Sequence, residues 1–161
     1  RKKKPPIAVP LPPRPIDEIE EFEKIRSLGL RESGQVKELY LYVSSAMRGF
    51  MHRNMGFDAL YETTEEIKQA LARTPFESGV KDSIGRIFDE ADMVKFAKYL
   101  PPEDLSATII DRAITPVRTV LDQKALERER ARLAEEERKK HGPASPARET
   151  ADSQSPGGGE R

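Results

Sequence analysis

The stretch Ala91-Asp92-Met93-Val94-Lys95-Phe96-Ala97-Lys98-Tyr99-Leu100-Pro101-Pro102-Glu103-Asp104 joins two apolar-periodic segments through a double proline. Upstream of its end, Val80, Ile84, Ile87, Phe88, Ala91, Val94 and Phe96 recur at the spacing of a helix with one buried face. Downstream, Leu105, Ile109, Ile110, Ala113, Ile114, Val117, Val120 and Leu121 do the same. Pro101-Pro102 should stop the first helix, because a residue that precedes proline is pushed out of the α region. Pro102 followed by Glu103-Asp104 should start the second, with proline at the first position and acids behind it on the positive end of the dipole. Pro116 lies inside the second pattern and is expected to kink the helix or split it near Thr115. Two helices meeting at a proline corner predict an all-α fold.

The remaining segments agree with that prediction. Thr63, Glu66 and the apolar Ile67, Ala70 and Leu71 read as a capping box followed by a helix to about Arg73. Thr74-Pro75 opens the connection to the next helix, which Thr74, Pro75 and Glu77 could equally cap early. Val36, Leu39, Tyr40, Val43, Met47, Phe50 and Met51 follow i, i+3, i+4, i+7 spacing, so a helix of about twenty residues is expected there. Gly56 should end it, with Phe57 folding back over its last turn. Ile16, Ile19, Phe22, Ile25 and Leu28 predict a first helix from about Pro15, stopped by Gly29, with acids on its first turns. No alternating β pattern, internal repeat or glycine-rich phosphate loop is present. The expected architecture is a compact bundle of about five helices with a protruding C-terminal helix and disordered tails.

Composition bounds the chemistry. The chain has 161 residues, 36% hydrophobic and 35% charged, which suits a small core with long solvated segments. Its 28 basic and 28 acidic residues cancel, which argues against a general nucleic-acid binder. With no cysteine there is no disulfide, thiol nucleophile or thiolate metal site. Residues 5–15 hold six prolines, which forbid helix and favour an extended polyproline spacer. Pro10-Leu11-Pro12-Pro13 also satisfies the short, common PxxP pattern. The basic Arg1-Lys2-Lys3-Lys4 ahead of it is what flanks the cytoplasmic end of a membrane-spanning helix, or an ordinary basic terminus. Lys124 to Lys140 is rich in Ala, Glu, Lys and Arg, as a solvated helix is, and the Ser, Pro and Gly residues beyond it form no core. The domain reading is a linker over 1–15, a helical domain over 16–123, a charged helical extension over 124–140 and a tail over 141–161.

No catalytic, cofactor-binding or metal site is expected. His52 and His141 are far apart in the chain, and a general base at His52 would need an orienting acid and a cleft. Asp89, Glu90 and Asp92 lack the spacing of an oxygen-ligand loop. Attention therefore falls on Asp92, Lys95, Phe96, Lys98 and Tyr99. Asp92 and Lys95 can meet across one helical turn. If Val94 and Phe96 draw that turn inward, Asp92 needs strong donors, with Arg48 and Arg53 as candidates, and the group locks two helices together. The alternative is a docking surface completed by Lys98 and Tyr99.

The order of the second helix, Gly56-Phe57, Thr63-Thr64-Glu65-Glu66 and Ala91-Asp92-Met93-Val94-Lys95-Phe96-Ala97 resembles the C-terminal cytoplasmic region of bacterial Bat-type (BatD-like) inner-membrane proteins. The resemblance covers about Ile16 to Leu121, rests mainly on the segment Asp92 to Ala97, and departs at Met51–Gly56. It implies a tail that follows a transmembrane helix, at the cytoplasmic face of the inner membrane. It also implies partners among MoxR-type AAA+ ATPases and von Willebrand A-domain proteins, in envelope stress tolerance or protein maturation. No catalytic residue comes with it. A non-catalytic adaptor is therefore the expected function, with a helical nucleic-acid-binding regulator as the alternative from the Arg/Lys clusters at 1–4 and 128–140.

Overall fold

The computed structural model describes residues 15–142, and its elements are all helices. They are α1 (Glu18–Ser27), α2 (Val36–Asn54), α3 (Thr64–Ala72), α4 (Ser78–Phe96) and α5 (Glu103–His141). The all-α class expected from the periodicities is what the described residues adopt. The Arg1–Lys4 cluster, the proline-rich segment to residue 14 and the tail from residue 143 lie outside them. The chain divides into two units, Arg1–Lys124 and Ala125–Arg161, and α5 runs through the boundary.

In the first unit, helix ends follow local chemistry. Asp17 accepts from the amides of Ile19 and Glu20, both at 3.1 Å, so α1 starts after this cap rather than at Pro15. Thr63 accepts from the Glu66 amide at 3.2 Å. Among the described residues no bond returns from the Glu66 carboxylate, so only half of the capping box forms. Gly29 and Gly56 sit just past α1 and α2 at φ +60° and +78°, the left-handed conformation that a C-terminal stop needs.

The core is one cluster. α2 packs closely on α1 and α4, and α4 packs on α3. α5 adds Ile109, Ala113, Val117 and Val120 through its side chains. Phe22, Tyr40, Met47, Phe50, Met51, Ile67, Leu71, Ile84 and Phe88 are all buried there. Each such side chain contributes about 1.5–3 kcal/mol on burial, which is what holds a bundle of short helices together.

Polar contacts pin the helices. Glu18, only 7% exposed, accepts from Arg53 Nε at 2.8 Å and Nη2 at 2.7 Å, and from Asn54 Nδ2 at 2.9 Å. This joins α1 to the end of α2. Gly49 makes room for it, since a Cβ there would lie 2.9 Å from Arg53 Nη1. Glu90 on α4 accepts from the Tyr40 hydroxyl of α2 at 2.5 Å and from Arg112 of α5 at 2.7 and 3.0 Å. Burial, and then the Glu90 carboxylate, push the Tyr40 hydroxyl far above its ordinary pKa. Lys124 Nζ donates to the Asn54 carbonyl at 2.9 Å and so satisfies an open acceptor at the end of α2.

Four expectations are corrected. Ile16 and Leu28 are exposed, because α1 starts after Asp17 and turns Glu18, paired with Arg53, toward the core. Phe96 does not join the core. The prolines at 101–102 do not stop α4, which ends five residues earlier at Phe96. Pro116 does not split α5, which is continuous from Glu103 to His141 with Pro116 buried against the core. Packing of Ala113, Ile114, Val117 and Val120 on either side holds the helix through the missing amide.

In the second unit, the described residues are the continuation of α5 to His141 and Gly142. Almost every side chain is exposed, Leu126 and Leu133 included. Good helix formers and short-range ion pairs support this stretch: Arg132 with Glu129 at 2.6 Å and Glu136 at 2.5 Å, and Arg138 with Glu135 at 2.7 Å. No helix among the described residues is long and apolar enough to cross a membrane.

Candidate functional site

The end of α4 and the loop after it carry all five residues singled out in the sequence. Positions 84, 88 and 91 face the core, and helical spacing continues that stripe onto 95. The slot at its end is therefore filled by Lys95, and Phe96, one step further round, points out. The turn is inverted in polarity: the lysine side chain is 12% exposed and the phenylalanine 78%. Burying a lysine stem along apolar surface while its ammonium reaches outward is ordinary. Pairing that with an exposed aromatic is not.

The Lys95 ammonium has weak compensation. Its carboxylate partner, Asp92, stands 4.0 Å away, beyond hydrogen-bond distance. The ammonium also lies 5.2 Å from the centre of the Phe96 ring, a cation–π contact. Burial holds the Lys95 amine below its ordinary pKa, with Asp92 opposing that shift and Arg48 adding to it.

Neither donor expected for Asp92 reaches it. Arg53 is taken by Glu18. Arg48 donates from Nη1 to the carbonyls of Ala59, at 3.0 Å, and Glu62, and its guanidinium lies 5.3 Å from the Phe88 ring centre. Asp92 is half-buried and meets Lys95 alone, so it does not lock α4 onto α2. That lock is Glu90 with Tyr40, a pair whose partners are 50 residues apart in the chain.

After Phe96 the chain makes a tight wrap. The amides of Ala97 and Tyr99 both donate to the Met93 carbonyl, at 3.0 and 3.2 Å. This requires Lys98 to adopt φ +53°; it is the one non-glycine residue at positive φ among those described. The left-handed region is disfavoured for residues with a Cβ, so the backbone here is strained. Pro101 is buried just beyond. The result is an exposed apolar group, Met93, Phe96, Tyr99 and Leu100, within one turn and the loop after it. Leu100 is 77% exposed. Met93 and Leu100 were not among the expected site residues; the i, i+3 spacing of Met93 and Phe96 was the available signal.

The other candidates disperse. Asp89 pairs with Lys68 at 2.6 Å, Glu90 with Arg112 and Tyr40, and Asp92 with Lys95, so the acidic residues 89, 90 and 92 share no partner. Among the described residues no group of carboxylates and histidines could hold a metal ion. His52 Nδ1 lies 3.4 Å from Asp58, an acid the sequence did not single out, and both side chains are exposed. Compared with family models, with curated proteins and with solved structures, the chain matches none of them.

Proposed function

We propose that this chain is a non-catalytic interaction domain, an adaptor that presents the corner between α4 and α5 to a protein partner. One observation carries the reading: the last turn of α4 turns Lys95 partly inward and exposes Phe96, with Leu100 exposed beside a strained Lys98. An exposed apolar group rimmed by polar residues is the usual mark of a protein contact. Aromatic anchors at such contacts carry most of the binding energy.

The resemblance to the cytoplasmic region of Bat-type inner-membrane proteins supports a more specific form. In it the domain is tethered at the cytoplasmic face of a bacterial inner membrane by an upstream transmembrane helix. Its partner is a MoxR-type AAA+ ATPase or a von Willebrand A-domain protein, in envelope stress tolerance or protein maturation.

Direct binding of purified candidates tests both levels. The full chain is titrated with a MoxR-type ATPase and with an A-domain protein, as wild type and as Phe96→Ser and Leu100→Ser. Both variants should fold normally, since both side chains are exposed. Each should weaken binding to one partner by about tenfold, the effect of losing about 1.4 kcal/mol at a contact. Full affinity in both variants overturns the docking surface. Failure of the wild type to bind either protein overturns the choice of partners.

A further inference from the structure

α4 ends at Phe96, before the prolines at 101 and 102, although the residues between favour its continuation. Ala97, Lys98 and Leu100 are good helix formers, and Pro101 bars the α conformation only from Leu100. The chain instead brings the amides of Ala97 and Tyr99 onto the Met93 carbonyl, at 3.0 and 3.2 Å, and holds Lys98 at φ +53°. A residue with a Cβ is strained in that region. The reason for the wrap lies on the inward face. Helical spacing carries the stripe of Ala91, Val94 and Lys95 onto position 98, so one more turn would bring a second lysine inward. Wrapping avoids that and accepts strain, and the two penalties oppose each other at a single residue.

The outward face carries a pattern that the wrap interrupts. Met93, Phe96, Ala97 and Leu100 are all exposed and stand at i, i+3, i+4 and i+7. They are divided between the last turn and the loop because Lys98 turns left-handed. Continued as helix through Tyr99, the same four residues make one apolar stripe. The amides of Lys98, Tyr99 and Leu100 then reach the carbonyls of Val94, Lys95 and Phe96. We infer that the end of α4 is a two-state element. One state is the wrapped form of this structure; the other has a further helical turn that aligns Met93, Phe96, Ala97 and Leu100. That the extended form is the one that docks rests on the docking surface proposed above. A helical stripe of this spacing is read by an apolar groove on the partner. Such a partner shifts the corner toward the extended form by its differential affinity for the two states.

Substitutions at Lys98 bias the two forms in opposite directions. Lys98→Ile penalises the left-handed conformation, which branched residues avoid, and gives the inward stripe an apolar residue. Lys98→Gly relieves the strain of the wrap. The isotope-labelled full chain is read by NMR, with the α-carbon and carbonyl shifts of residues 97–99 reporting helix. In Lys98→Ile those shifts should become helical while the spectrum of the remaining domain is unchanged. Lys98→Leu, apolar without the branch, replaces it if the isoleucine variant does not fold. Non-helical shifts at 97–99 in the folded variant overturn the inference. Lys98→Gly should keep the wild-type shifts at Ala97 and Tyr99. It should bind the ATPase or the A-domain protein about threefold more weakly, through its favoured wrapped form. Full affinity in Lys98→Gly where Phe96→Ser loses it overturns the inference and leaves the docking surface standing. If the wild type binds neither protein, the choice of partners fails, and the shifts of the apolar variant alone decide the inference.

Discussion

Lys98 is exposed, and its side chain makes none of the close contacts that define the corner. What matters at this position is its backbone, at φ +53°. Glycine adopts that conformation without a Cβ penalty, although it loses more freedom on folding. Lys98→Gly should therefore stabilise the domain by roughly 0.5–1 kcal/mol. The midpoint of urea unfolding followed by circular dichroism reads this directly, and a lower midpoint would show that the lysine side chain is needed at the turn. Such strain in a natural chain is often kept where function requires it. The sequence did not disclose it, because a left-handed lysine is imposed by the wrap of Tyr99 onto Met93 and not by any residue preference.

Among the helices, the apolar stripes were legible. Every residue assigned to the core face of α2 is buried or packed against the core, because a period of 3.6 sustained over nineteen residues admits one face only. Legibility failed at helix ends, where one or two positions decide a face. Phe96 read as core by its chemistry, yet helical geometry gives the inward slot to Lys95. Glu18 read as one of the acids that the dipole favours on the first turns; its burial depends on Arg53, 35 residues away, and no local pattern reports that. Pro116 read as a kink or a split; the helix is not split, since packing on both sides outweighs the lost bond. The candidate site was found in outline, since its five residues do share one turn and loop, but the roles of Lys95 and Phe96 in burial were reversed. At this scale the end of α5 also makes a prediction. The buried apolar residues end at Val120, so deleting residues 125–161 should leave the thermal midpoint unchanged. Circular dichroism should lose only the helical signal of 125–141, and a large fall in the midpoint would show that the core depends on this stretch.

For the molecule as a whole, the response to alkali follows from Tyr40. Its hydroxyl stays protonated in the folded state far above the ordinary tyrosine value of 10.0, at which the unfolded chain releases its proton. The folded state then binds more protons than the unfolded one, so stability falls as pH rises above about 10. The Tyr40 contribution is fully present below that pH and is lost through the window up to the raised value. Lys95 acts in the opposite direction: its lowered amine means that stability rises with pH below its unfolded value of 10.5. Tyr40→Phe should cost about 1 kcal/mol at neutral pH through the lost bond to Glu90. It should also flatten the decline above pH 10 in chemical denaturation, and an unchanged alkaline slope would assign that decline to other groups.

The convergence of Tyr40 and Arg112 on Glu90 has a consequence for uniqueness. Apolar faces of neighbouring helices are forgiving, since a slide of one turn still buries leucine and isoleucine against valine. A one-turn slip of α5 along α4 would strand the Arg112 guanidinium away from its carboxylate and leave the Glu90 charge half-buried with fewer donors. The same slip of α2 would strand the Tyr40 hydroxyl, which is buried and has no water to replace its acceptor. A single carboxylate thus excludes the near-miss alignments of three helices, acting as a registration mark more than as a source of cohesion.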